Sequence, residues 1–186
     1  MSRSPFRFVR DPEELKAQFF PSSSSAAPRC GQNETLNRHS VLRGNDPAKT
    51  DGRSARGQRV FCSNRGQRGG CGGTFSIFLA EVLPRHTVRA TLLWKLLGQL
   101  LRAAGIKAAA ETLRLPFALE TLYHLLHRLR RRLDALRCRL CRQHRAPESC
   151  QSDPLRQTVE HLRAVFANTL CPVTEFQIFF QEPFLG

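Results

Sequence analysis

From Leu119 onward, leucines recur in alternating steps of three and four, at Leu119, Leu122, Leu126, Leu129, Leu133, Leu136 and Leu140. That spacing predicts one long helix, starting near Ala118, with an unbroken apolar seam. Upstream, Val88, Leu92, Trp94 to Leu97, Leu100 and Leu101 predict another strongly apolar helix, beginning after Pro84 and ending at Gly105 in a C-cap role. Between them lies a short alanine-rich helix over Ile106–Leu113, followed by Pro116, which interrupts the helical ladder. Short helix, tight break and second helix form a helix-turn-helix pattern, in which alanines allow close helix contact and the second helix is the reader. The alternative is a plain helical bundle.

Downstream, Asp153-Pro154 reads as N-cap and first helical residue of a further helix, with Leu155, Val159, Leu162 and Phe166 on one stripe. Thr174-Glu175-Phe176-Gln177 then offers a capping box for a last short helix carrying Ile178, Phe179 and Phe180. Near the start, Asp11-Pro12-Glu13-Glu14 predicts a short helix to about Phe20, ahead of a Pro21, Ser22–Ser25 spacer.

Strand patterning is confined to the segment between. Thr35–Arg43 partly alternates polar and apolar before turn residues Gly44-Asn45-Asp46-Pro47, and Arg59–Cys62 and Thr74–Phe78 read as two further short strands. The expected fold is therefore mainly α, with a small β module of the zinc-ribbon kind, a helix-turn-helix running into a long helix, and a helical C-terminal cap. The corresponding divisions are 1–26 (helix and spacer), 27–83 (ribbon-like module), 84–145 (helix-turn-helix with the extended basic helix) and 146–186 (cap).

Charge changes the picture. The 186 residues carry 29 Lys+Arg against 15 Asp+Glu, a formal +14, supplied mostly by arginine. Such an excess favours a polyanionic partner, with nucleic acid ahead of an anionic membrane. No apolar run approaches the length of a membrane span, and Met1–Pro5 lacks a signal-peptide core, so a cytoplasmic, nucleoid-associated protein is expected. On the long helix, Glu120, Thr121 and His124 occupy the face not used by leucines and can reach base edges, while Arg128, Arg130, Arg131 and Arg132 can grip phosphates. Arg130, Arg132, Arg137 and Arg139 flank the seam, so two parallel copies would set arginine against arginine. Packing of the seam within the chain is the simpler expectation, and homodimerisation through it the other.

Seven cysteines, an odd number, suit a reducing compartment, where clustered Cys are more often metal ligands than disulfides. Cys30-Gly31 and Cys71-Gly72 have the ending of a metal knuckle, in which the glycine takes φ > 0 behind the thiolate. With Cys62 they give three thiolates, and His39, nine residues beyond Cys30, is the candidate fourth zinc ligand. The competing reading of His39 is a surface or phosphate-contacting histidine. Cys138, Cys141 and His144 have metal-like spacing too, but on a continuous helix the two cysteines are small apolar fillers. For catalysis the chain offers little: its carboxylates are scattered, and Gly69-Gly70-Cys71-Gly72-Gly73 lacks the Gly-Lys-Ser/Thr ending of a phosphate loop. A non-enzyme is expected.

The order Pro28-Arg29-Cys30-Gly31, Arg59-Val60-Phe61-Cys62 and Arg68-Gly69-Gly70-Cys71-Gly72-Gly73-Thr74-Phe75-Ser76, followed by a helix-turn-helix, resembles the N-terminal DNA-binding region of bacterial insertion-sequence transposases over residues 27 to 142. The resemblance implies zinc on Cys30, Cys62 and Cys71, a recognition helix over Ala118–Arg128, double-stranded DNA as partner, and a separate transposase subunit for cutting and joining. Two departures stand out: Ala27 replaces the first ligand, and eight residues separate Cys62 from Cys71. The expected function is a DNA-binding accessory or regulatory component of a mobile element, or a protein derived from one. The alternative is a protein-interaction adaptor docking through the leucine seam and the Phe176–Phe184 tail.

Overall fold

The computed structural model describes residues 6–17, 26–27, 29–46, 52–66, 69–102, 105–148 and 152–186. The expected end of the first helix near Phe20 and the Pro21–Ser25 spacer lie outside them. Contacts divide the chain into two units, Met1–Thr87 with Gln177–Pro183, and Val88–Phe176 with Phe184–Gly186.

The first unit is a four-stranded mixed sheet of order β1-β4-β3-β2. Strand β1 (Phe6–Val9) runs parallel to β4 (Thr74–Leu79), whereas β4 with β3 (Arg53–Cys62) and β3 with β2 (Leu36–Asn45) are antiparallel. On one sheet face Val9, Val60, Cys62, Phe75, Ile77 and Leu79 are buried together with Ala27 and Val82. Helix α1 (Pro12–Ala17) adds Leu15 to this cluster. Its start follows the sequence: the Glu14 N–H donates to Asp11 Oδ1 at 2.8 Å. In a capping box the Glu14 carboxylate would return the bond to the Asp11 N–H; here Glu14 Oε2 accepts from the N–H one residue earlier, that of Arg10.

The free edge of β1 is closed by a side chain. Gln181 Oε1 accepts the Phe8 N–H at 2.8 Å and its Nε2 donates to the Phe8 carbonyl at 3.1 Å, so one carboxamide pairs with the strand as a neighbouring strand would. Gln177, fully buried, donates to the carbonyls of Ala80 and Val82 at 2.7 and 2.9 Å, satisfying two carbonyls just beyond β4.

The second unit contains α2 (Ala90–Leu100), α3 (Ile106–Thr112), α4 (Leu119–Cys141), α5 (Pro154–Val165) and the start of α6 (Pro172–Phe180). Leu122, Leu126, Leu129, Leu133, Leu136 and Leu140 of the seam are buried, joined by Leu125, while Leu119 is exposed. Helix α4 packs on α3 and α5, the latter contributing Leu155, Val159 and Leu162. Asp153 caps α5 as its sequence predicts, accepting the Leu155 N–H at 3.2 Å, with Pro154 opening the helix. Buried His161 donates from Nε2 to the His144 carbonyl at 2.9 Å, which ties the segment after α4 to α5. Phe176 and Phe184 meet edge to face with centroids 5.4 Å apart.

Four expectations are corrected. The fold is α+β, 42% helical and 20% strand over the described residues, not mainly α. Strand content exceeds the expectation because β3 extends back through Arg53–Gln58, a polar stretch held by the ladder to β2 and not by an apolar stripe, and because β1 joins β4 across a long sequence separation. Gly44 and Asn45 are consequently strand residues, not turn residues. Gly105 is the N-cap residue of α3 and not the C-cap of α2, which is Leu101. Helix α6 begins at Pro172, with the Glu175 N–H bonded to the Cys171 carbonyl, so Thr174 lies inside it and caps nothing.

Candidate metal centre and nucleic-acid interface

Cys30, Cys62 and Cys71 come together in the first unit, their sulfurs all within 4.8 Å of one another. Each arrives by a different route. Cys62 is the last residue of β3 and is buried; Cys30 sits in the turn after Ala27 and is half-buried; Cys71 lies just before β4 and is exposed. The knuckle endings have the expected backbone, with Gly31 at φ 73° and Gly72 at φ 68°, a region where a side chain would be strained.

The sulfurs are set up as acceptors. Cys62 Sγ receives the Cys71 N–H at 3.3 Å and lies 3.1 Å from Thr35 Oγ1 and 3.6 Å from Cys30 Sγ. The Gln32 N–H, bonded to the Cys30 sulfur, is the main cause of the lowered Cys30 pKa, whereas burial is the main cause of the raised Cys62 pKa. Three thiolates around one ion at a metal–sulfur distance of about 2.3 Å would stand about 3.8 Å apart in tetrahedral geometry. The observed spacing suits such an ion, and the three cysteines can bind a metal.

His39 is not brought to this cluster. It lies exposed in β2, its Nδ1 3.3 Å from Ser40 Oγ, at an irregularity of the β2–β3 register. The register explains the separation: Leu36 stands opposite Cys62, so Thr35, just before the strand, meets the sulfur, while His39 is three residues farther along. At 3.3 Å rise per residue that is about 10 Å away. Thr35 and Gln32 are sulfur partners that sequence reasoning missed, and no local pattern marks them.

On α4, Glu120, Thr121, His124, Arg128, Arg130 and Arg131 are all exposed, on the side away from the buried leucines. Helical periodicity places Glu120, His124, His127 and Arg131 along the middle of that open side, with Arg128 and Arg130 flanking it. Arg132 differs: it is half-buried and lies beside Gly186. Glu120 Oε1 and His124 Nε2 stand 3.7 Å apart, both well exposed. Tyr123, 58% exposed, widens the open surface at the start of the helix.

The elements expected to dock a protein partner are largely in use inside the chain. Six of the seven seam leucines, with Phe176 and Phe184, are buried, although Phe179 remains 56% exposed. Cys138 and Cys141 are both exposed on α4, so they do not fill the core. Among the described residues no helix is long and apolar enough to cross a membrane. No protein-family model, curated protein or solved structure matches this chain.

Proposed function

We propose that this protein binds double-stranded DNA, with α4 as its principal contact and with an accessory or regulatory role in, or descent from, a mobile element. The observation that supports this best is the division of α4 into a buried leucine side and an open side that begins with Glu120, Thr121 and His124 and continues into Arg128, Arg130 and Arg131. The first turns of a helix that follows a short helix and a tight break are the part able to enter a major groove and reach base edges. The arginines one to three turns later are suited to the flanking phosphates. The three-cysteine centre acts here as a clasp, tying the turn at Cys30 to the ends of β3 and β4. Zinc is the ion that the ribbon resemblance implies for it, and when bound it would supply cross-linking of these segments.

Titration of a labelled duplex by the full chain, at several salt concentrations, tests the proposal. Binding is expected to weaken steeply with salt, with a slope reduced by about 0.9 for each phosphate contact removed in Arg128→Ala, Arg130→Ala and Arg131→Ala variants. Absence of binding at low salt, or a slope unchanged in the triple variant, refutes it.

A further inference from the structure

The two knuckles are copies of one another in their backbone bonding. In the first, the Gly31 N–H donates to the Ala27 carbonyl at 2.8 Å and the Ala27 N–H donates to the Gln32 carbonyl at 2.8 Å. In the second, the Gly72 N–H donates to the Cys62 carbonyl at 3.0 Å and the Cys62 N–H to the Gly73 carbonyl at 2.9 Å. Ala27 therefore plays the part in one knuckle that Cys62 plays in the other, even though eight residues separate Cys62 from Cys71 and only two separate Ala27 from Cys30. The burial agrees: Ala27 and Cys62 are 1% and 0% exposed and belong to one apolar cluster, while Cys30 and Cys71 form the outer pair.

We propose that Ala27 occupies the fourth ligand vertex of the centre and limits it to three thiolates. This is a coordination that a soft monovalent ion such as copper(I) accepts and that leaves zinc one ligand short. Structural zinc sites are closed, four-coordinate and tetrahedral, and a site with three protein ligands completes its shell with water or substrate. Here the vertex lies at a methyl group in an apolar cluster with Val9, Val60, Phe75 and Val82, a poor setting for the several polar partners that hold a buried water, although the Thr35 hydroxyl lies 3.1 Å from Cys62 Sγ. Soft sulfur donors suit copper(I) as well as zinc, so the number of ligands, not their kind, decides between the two.

This inference rests on the reading of the three cysteines as a metal centre, and the experiment separates the two. The full chain, reduced and stripped of metal under anaerobic conditions, is titrated with copper(I) and with zinc against chromophoric competitors, as wild type, Ala27→Cys, Ala27→Ser and Cys71→Ser. X-ray absorption then counts the sulfurs around each ion. The wild type is expected to hold one copper(I) on three sulfurs. Ala27→Cys should raise zinc affinity at least about tenfold, an effect already produced by losing outer-shell partners of metal ligands, and should show four sulfurs around zinc. Ala27→Ser should leave the preference where it was, and Cys71→Ser should lose both ions. Zinc bound equally by wild type and Ala27→Cys, or zinc held by four protein ligands in the wild type, overturns the role of Ala27 alone. Failure of the wild type to bind either ion overturns the metal centre itself. Should Ala27→Cys not fold, the sulfur count around zinc in the wild type still decides.

Discussion

In the helical unit, order is maintained by bulk. Leu122, Leu129, Leu136 and Leu140 of α4 are at most 1% exposed, Leu155, Val159 and Leu162 of α5 are buried as well, and α4 packs on both α3 and α5. In the sheet unit the buried cluster is smaller and one edge of it is a turn, and there the decisive contacts are polar. They are N–H groups donated to sulfur and glutamine side chains standing in for strand partners, set beside the knuckle glycines Gly31 and Gly72 at positive φ. The lesson is that loss of volume should threaten the first kind of unit, and loss of a single backbone geometry the second.

The largest expected effect tests the leucine side of that contrast. Leu129→Ala removes a side chain that is 1% exposed in the middle of α4, which should cost about 2–5 kcal/mol through lost burial and the cavity left behind. Denaturant unfolding followed by far-ultraviolet circular dichroism measures it. The metal stoichiometry of the same variant should be unchanged below the unfolding transition. A loss under 1 kcal/mol would mean that the seam is far less tightly packed than its burial indicates.

A smaller effect probes the geometric side. Gly72→Ala forces a side chain into φ 68° and brings its Cβ to about 3.0 Å from Asn64 Nδ2. The left-handed conformation costs roughly 1–2 kcal/mol for a residue with a Cβ. If the strain is felt in the metal-bound state, affinity for the ion should fall by about a factor of ten, since 1.4 kcal/mol is tenfold in a dissociation constant. Chelator competition reads this directly, and an unchanged affinity would show that the knuckle relaxes without loss.

The contrast also explains what could be foreseen from the sequence. The leucine seam and the Asp153 cap were legible because helical periodicity and capping are local, and the Cys-Gly endings were legible because a glycine at positive φ leaves its mark on the sequence itself. Strand β1 was not, although Phe6-Arg7-Phe8 alternates: four residues give little signal, and the pairing with β4 spans some seventy positions. The glutamine clamp was hidden for the same reason, its partners lying 173 residues apart. His39 failed as a ligand because spacing along the chain says how far a side chain can reach, while register decides where it stands, and register put Leu36 opposite Cys62.

The smallest effect concerns the centre without its ion and separates its sulfurs. In the metal-free, reduced chain, Cys30 has the Gln32 N–H bonded to its sulfur, which stabilises the thiolate and lowers the pKa; Cys62 is buried, which favours the thiol and raises it. As pH rises, Cys30 should ionise first, and because the thiolate is the reactive form, iodoacetamide should label Cys30 ahead of Cys62. The stability consequences have opposite signs. The Cys30 contribution is present above the unfolded-state thiol pKa and is lost as pH falls through its lowered folded value. The Cys62 contribution is complete below the unfolded-state pKa and is lost as pH rises through its raised folded value. Metal-free chain should therefore be destabilised in alkali by Cys62, and Cys62→Ala should flatten that limb of the pH profile. Peptide mapping of the labelled chain checks the order of reaction. Cys62 reacting first would mean that the end of β3 opens before the turn at Cys30, and so that the sheet unit is held at Cys30 and not at its buried strand.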